Sequence, residues 1–147
     1  LALSGGSTPR KLFARLTGDP YRSKINWSSV RFFWGDERPV PPDHPESNFR
    51  MAKENLLDRL SIPSEQVFRI EGERPAKEAA VCYQERLQQA FSPEAVTVPR
   101  FNLVLLGMGP DAHTASLFPE TAVLEEKKLW VAAPWVEKFQ TCSFLRK

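Results

Sequence analysis

Residues 105–119 read LLGMGPDAHTASLFP, and this stretch carries the densest chemistry in the chain. His113 can take a proton near neutral pH, and Asp111, two positions earlier, can orient its ring. Gly107 and Gly109 bracket Met108 and turn the chain sharply ahead of that pair. The Asp–His pair then points from the start of what reads as a short helix. Thr114 and Ser116 offer hydroxyls for a cap or a substrate, while Leu117 and Phe118 read as core. The alternative for His113 is an ordinary hydrogen-bonded structural histidine. His44, in a proline-rich stretch with nothing around it to tune it, takes that structural reading.

Two further stretches could bind an anion. In SGGSTP (4–9), Gly5 and Gly6 let the backbone turn tightly and approach a ligand. Ser7 or Thr8 can cap a helix that opens at Pro9. Free amides at that terminus, with the positive end of the helix dipole, would form a phosphate site. The alternative is a plain capped turn. In FFWGDERPVP (32–41), Asp36, Glu37 and Arg38 directly follow a hydrophobic strand. Arg38 can hold a phosphate or carboxylate bidentately, and Asp36 can accept from sugar hydroxyls or orient Arg38. Here the alternative is a solvated charge triplet.

The elements that must position these loops alternate between strand and helix. LALS reads as the tail of a buried strand. Leu12, Phe13 and Leu16 recur at helical spacing until Gly18-Asp19-Pro20. VRFFW (30–34) is a β-branched and aromatic strand, and the four prolines of the following GDERPVPPDHPE exclude regular structure there. Ser47 or Asn48 can cap a helix with Phe49, Leu56, Leu57 and Leu60 on its apolar side. VFRI (67–70) is a short strand, and Ala76, Ala80, Tyr83, Leu87 and Phe91 mark one face of a long helix. FNLVLLGMG is the most apolar strand, and LWVAAPW is a further one. Such alternation predicts a Rossmann-like α/β domain, with an open, mainly parallel sheet and helices on both faces. In that arrangement ligands sit beyond the carboxyl ends of the strands, where all three loops fall.

At 147 residues the chain fits a single domain spanning 1–147. Hydrophobic and charged fractions of 41% and 26% are those of a globular protein and argue against disorder. Lys+Arg 20 against Asp+Glu 18 gives a formal charge of +2, too balanced to indicate nucleic acid or a membrane surface as partner. No apolar run reaches the roughly 18–20 residues of a membrane helix. Cys82 and Cys142 form neither a metal spacing nor a disulfide framework, so a reducing cytoplasmic setting is expected. The two histidines, distant in sequence, make no zinc motif, so no metal is expected. The opening Leu1 and the closing CSFLRK lead us to expect a piece of a longer polypeptide, incomplete at both ends.

Taken in order, LALSGGSTPRKLF, FFWGDERPVPPDHPESNFRMAKENLL and LVLLGMGPDAHTASLFP resemble the 6-phosphogluconolactonases. The wider superfamily includes the glucosamine-6-phosphate deaminases, which share the S-G-G-[ST]-P loop and a G-x-D-G-H turn. Those continue from the histidine with a phenylalanine–asparagine–glutamate run, where this chain has SLFPE. The resemblance implies hydrolysis of 6-phosphoglucono-1,5-lactone to 6-phosphogluconate, a step of the oxidative pentose phosphate pathway, with no metal or organic cofactor. It places His113 on the proposed base, Gly5, Gly6, Ser7 and Thr8 on the anion loop, and Asp36 and Arg38 on the substrate loop. An amino-sugar phosphate deaminase or isomerase, or an inactive sugar-phosphate-binding fragment, is the alternative. One departure stands out: Ala112 occupies the position of the motif's second glycine. That glycine could serve a positive φ or clearance for the substrate.

Overall fold

A computed structural model of the chain describes residues 1–91 and 98–133, together with the backbone of 135–136, 139–140 and 142–144. Its centre is a parallel sheet. Strand β1 (Ala2–Leu3) is followed by helices α1 (Ser7–Leu16) and α2 (Tyr21–Lys24), and then by β2 (Phe32–Trp34). A two-residue strand β3 (Asp36–Glu37) leads to α3 (Asn48–Ala52), which runs on through a π turn over Lys53–Leu57. Strand β4 (Val67–Phe68) and the long helix α4 (Ala76–Phe91) complete this portion. Short strands β5 (Val131–Ala132), β6 (Trp135–Val136), β7 (Phe139–Gln140) and β8 (Cys142–Phe144) follow.

The open parallel sheet predicted from the apolar runs is present, with β1 between its neighbours. Ala2 pairs with Phe33 and Leu3 with Trp34, and Phe32 and Phe33 pair with Val67 and Phe68, all in parallel. On the other side of β1, Ala2 forms a parallel bridge to Val104. The Ala2 amide donates to Leu103 O and the Leu105 amide to Ala2 O, each at 2.9 Å. FNLVLLGMG therefore does take a strand's place beside β1, although only as a single bridge. It is not the buried strand that its composition suggested: Leu103, Val104, Leu106 and Met108 are exposed. A second, antiparallel sheet runs β3–β8–β5, and β6 pairs with β7.

Alternation along β2 explains why helices cover both faces. Phe33 turns to the α4 side, stacking on Phe68 at 4.7 Å and lying 5.1 Å from Phe91. Trp34 turns the other way and meets Phe49 of α3 edge-on. Tyr83, buried on α4, binds β2 through its hydroxyl, accepting from the Trp34 amide at 2.9 Å and donating to Trp34 O at 3.0 Å. The predicted faces of α3 and α4 are borne out in Leu56, Leu57, Ala80, Tyr83 and Leu87, all buried. Among the described residues no helix is long and apolar enough to cross a membrane.

Candidate active site

Because the strands are parallel, the loops after β1, β2 and residues 103–105 emerge side by side at one sheet edge. A cavity of about 210 Å³ opens there, walled by Ser4, Gly5 and Gly6 from the first loop and Asp36 and Arg38 from the second. Gly107, Met108, Gly109, His113 and Ala115 come from the third, with Asn48 from the start of α3. Of the residues singled out in the sequence, Gly5, Gly6, Asp36, Arg38 and His113 thus line one space. Ser7 and Thr8 line the adjoining groove, shared with Pro9, Leu12 and residues 104–108. Asp111 stands behind the histidine ring.

His113 is held from several sides. Its Nδ1 lies 2.5 Å from Asp111 Oδ1, which leaves Nε2 as the ring nitrogen without that contact. The hydrogen bond to His113 holds the Asp111 carboxyl below its ordinary value. The ring stacks on Phe118, centroids 4.4 Å apart and planes 23° from parallel. Gly109 passes so close that a Cβ there would overlap the ring at Cε1 and Nδ1 and come within 2.7 Å of Asp111 Oδ1. Phe118, read from sequence as core, is thus part of the site's frame.

The short helix expected from Asp111 is absent. Residues 109–117 form a turn closed on itself, with the Gly109 amide donating to His113 O at 2.9 Å and the Leu117 amide to Thr114 O at 2.9 Å. Ala112 and Ala115 sit at φ +65° and +51°, left-handed conformations that stop a helix from propagating. Ala112 is exposed and does not line the cavity, so the glycine of the family motif answers to backbone conformation here.

The helix after the glycine loop opens at Ser7, two residues earlier than expected. Gly6, at φ +106°, is the N-cap of α1, and no side chain caps the helix. Ser7, Thr8 and Pro9 lie inside the first turn. The hydroxyls proposed as caps are exposed, and the amides of Ser7 and Thr8 belong to the turn whose N–H groups lack intrahelical partners.

The two carboxylates of the charge triplet are not solvated, while Arg38 is half-buried. Asp36 and Glu37 are 6% and 3% exposed, and burial pushes both carboxyls above their ordinary values. Glu37 is consumed by structure. Its Oε1 accepts from the amides of Arg38 (2.8 Å) and Asn48 (2.7 Å), and its Oε2 from the Phe49 amide (2.8 Å) and Ser47 Oγ (3.0 Å). This satisfies the start of α3, which Ser47 also caps through the Arg50 amide. Asp36 takes Ser116 Oγ on Oδ2 at 2.9 Å and Asn48 Nδ2 on Oδ1 at 3.3 Å. The same Nδ2 donates to Asp36 O at 3.1 Å, which fixes the orientation of the amide. The Asn48 carboxamide fills the space that a Cβ on Gly5 would need, so that glycine admits the asparagine. Asn48 was legible only as a helix cap, and nothing local marked Ser116 as a partner of Asp36. His44 keeps its structural reading, its Nδ1 accepting from the Glu46 amide. Among the described residues no three His, Cys, Asp or Glu side chains gather as metal ligands.

Parallel strands whose loops gather a histidine–carboxylate pair, an arginine and a glycine turn around one cavity make this an open α/β fold with a candidate site at the carboxyl edge of its sheet. More narrowly, the chain belongs to the glucosamine-6-phosphate isomerase/6-phosphogluconolactonase family, whose model matches residues 1–140. It is 42% identical to the 6-phosphogluconolactonase of Haemophilus influenzae over 95% of this chain and 58% of that protein. It is 45% identical to the 6-phosphogluconolactonase of Treponema pallidum, over 88% of this chain and 51% of that one. Among solved structures it superposes on the 6-phosphogluconolactonase from Trypanosoma cruzi with a TM-score of 0.81 and 32% identity, covering 97% of this chain and 60% of that one. The chain thus spans little more than half the length of these relatives.

Proposed function

We propose that this site hydrolyses 6-phosphoglucono-1,5-lactone to 6-phosphogluconate, with His113 as general base. The observation that carries the reading is the His113–Asp111 contact at the wall of a cavity shared with Arg38 and the glycine loop. With Nδ1 held by Asp111, Nε2 takes a proton from water, and the resulting hydroxide attacks the lactone carbonyl. The tetrahedral oxyanion is met by the Arg38 guanidinium, which shares the cavity with His113. The protonated ring then returns its proton to the departing ring oxygen. Gly5, Gly6, Ser7 and Thr8 hold the phosphate, whose binding energy positions a carbonyl far from it. Asp36 and Arg38 form the remaining substrate wall. The chemistry asks for no cofactor, and the cysteine usage supports a reducing compartment such as the cytoplasm.

The test is acid release from freshly prepared lactone, measured against spontaneous hydrolysis. The purified protein should exceed background, and His113→Asn should lower the enzymatic rate by about two to four orders of magnitude while 6-phosphogluconate still binds. Background rates from the wild-type protein, or full turnover from the variant, would refute the assignment.

A further inference from the structure

We infer that Ser116 is a positioning residue for His113, acting through the buried carboxylate of Asp36. The inference rests on the lactonase reading above, and it concerns how the base is placed. The 109–117 turn is closed by its own main-chain hydrogen bonds, with left-handed residues at Ala112 and Ala115. Such closure defines the turn's shape but not its place relative to the sheet. The described main-chain hydrogen bonds of residues 107–117 all stay within the turn. Leu106 and Met108, which lead into it, are 62% and 81% exposed and supply little packing.

Ser116 supplies the missing constraint. It is 3% exposed, and its hydroxyl donates to Asp36 Oδ2 at 2.9 Å across 80 residues of sequence. The acceptor is itself immobile. Asp36 belongs to β3, its other carboxylate oxygen and its carbonyl both receive Asn48 Nδ2, and the Asn48 amide is bound to Glu37 at 2.7 Å. A hydroxyl donating to a carboxyl oxygen is a directional bond, and removing it leaves a buried acceptor unpaired. Ser116 lies three residues after His113 and two before Phe118, the ring on which the imidazole stacks. The serine therefore pins both the base and its stacking partner to β3, the strand segment that also begins the Arg38 loop. Losing the hydroxyl would free the turn to shift while the phosphate loop and Arg38 keep their places. A displacement of about 1 Å at the base is enough to cost roughly a hundredfold in rate.

Three variants separate the possibilities: Ser116→Ala, Ser116→Thr and His113→Asn, each followed by circular dichroism, lactone kinetics and calorimetric binding of 6-phosphogluconate. Ser116→Ala should lose about 30- to 100-fold in kcat, with KM and the 6-phosphogluconate Kd within about threefold of wild type. Ser116→Thr, which keeps the hydroxyl, should recover about tenfold or more of that loss. Ser116→Ala turning over like wild type beside an inactive His113→Asn would overturn this inference alone. Equal losses in kcat and in 6-phosphogluconate affinity, no recovery in Ser116→Thr, or unfolding of Ser116→Ala at the assay temperature would also overturn it. An active His113→Asn would remove the lactonase reading, and this inference with it.

Discussion

Restoring the motif's glycine by Ala112→Gly should stabilise the protein slightly and leave its turnover alone. Ala112 sits at φ +65°, where an L-residue carries a steric cost of about 1–2 kcal/mol that glycine does not. Glycine also loosens the unfolded chain, which takes back about 0.4–1 kcal/mol. The net gain is then about 0.5–1 kcal/mol. For a domain of this size that corresponds to a rise of about 1–3 °C in Tm. Turnover should stay within about threefold of wild type, because the ring of His113 is fixed by Asp111, Phe118 and the close passage of Gly109. Differential scanning calorimetry and the lactone assay on the same preparations decide the matter. A rise in kcat of tenfold or more (order of magnitude) with Tm unchanged would refute the backbone argument and show that the methyl group obstructs the substrate.

Gly109→Ala should be far more damaging. Its Cβ has no place to go except through the His113 ring, so kcat should fall by about two orders of magnitude; a normal rate would show that the ring can retreat without cost. Arg38→Ala should weaken 6-phosphogluconate binding and flatten its dependence on salt, measured by calorimetry at two ionic strengths. Unphosphorylated gluconate should lose affinity about equally, since the guanidinium meets the C1 end of the ligand; an unchanged gluconate affinity would refute that placement. Tyr83→Phe should cost about 1–3 kcal/mol in urea unfolding, since it leaves both the amide and the carbonyl of Trp34 unpaired in the core; a loss below about 0.5 kcal/mol would contradict this. Burial raises the carboxyls of Asp36 and Glu37, so the folded protein holds those protons more tightly than the unfolded chain. Stability should therefore fall as pH climbs from the ordinary carboxylate range of about 4 through the raised values. Asp36→Asn should reduce that slope, and an unchanged slope across a pH series of urea midpoints would refute the assignment.

What the sequence disclosed was whatever depends on neighbours along the chain. The apolar runs LALS, VRFFW and LVLLG each stop at a loop of glycine or charge, and that was enough to put the three loops on one edge. The apolar spacing of α3 and α4 likewise gave their buried faces. Charge alone left Asp36 and Glu37 undecided between a solvated triplet and a functional loop, because a carboxylate followed by charged and proline residues fits either. What buries Glu37 is a set of donors from Ser47 to Phe49 that no periodicity reveals. The helix expected after Asp111 failed because two alanines there adopt a conformation that their composition disfavours. The link from Ser116 to Asp36 spans 80 residues, and only the folded sheet makes them neighbours.

The central place of β1 has a kinetic consequence. Ala2 pairs with Phe33, 31 positions away, and bridges to Val104, 102 positions away. Closing the longer loop costs about 1 kcal/mol more in chain entropy. The β1–β2 pair should therefore zip first and the segment leading to the histidine turn join last. During refolding from urea, the fluorescence of Trp34, buried on β2, should recover ahead of the capacity to bind 6-phosphogluconate. The earliest compact species would hold the glycine loop and Arg38 side by side, still waiting for their base.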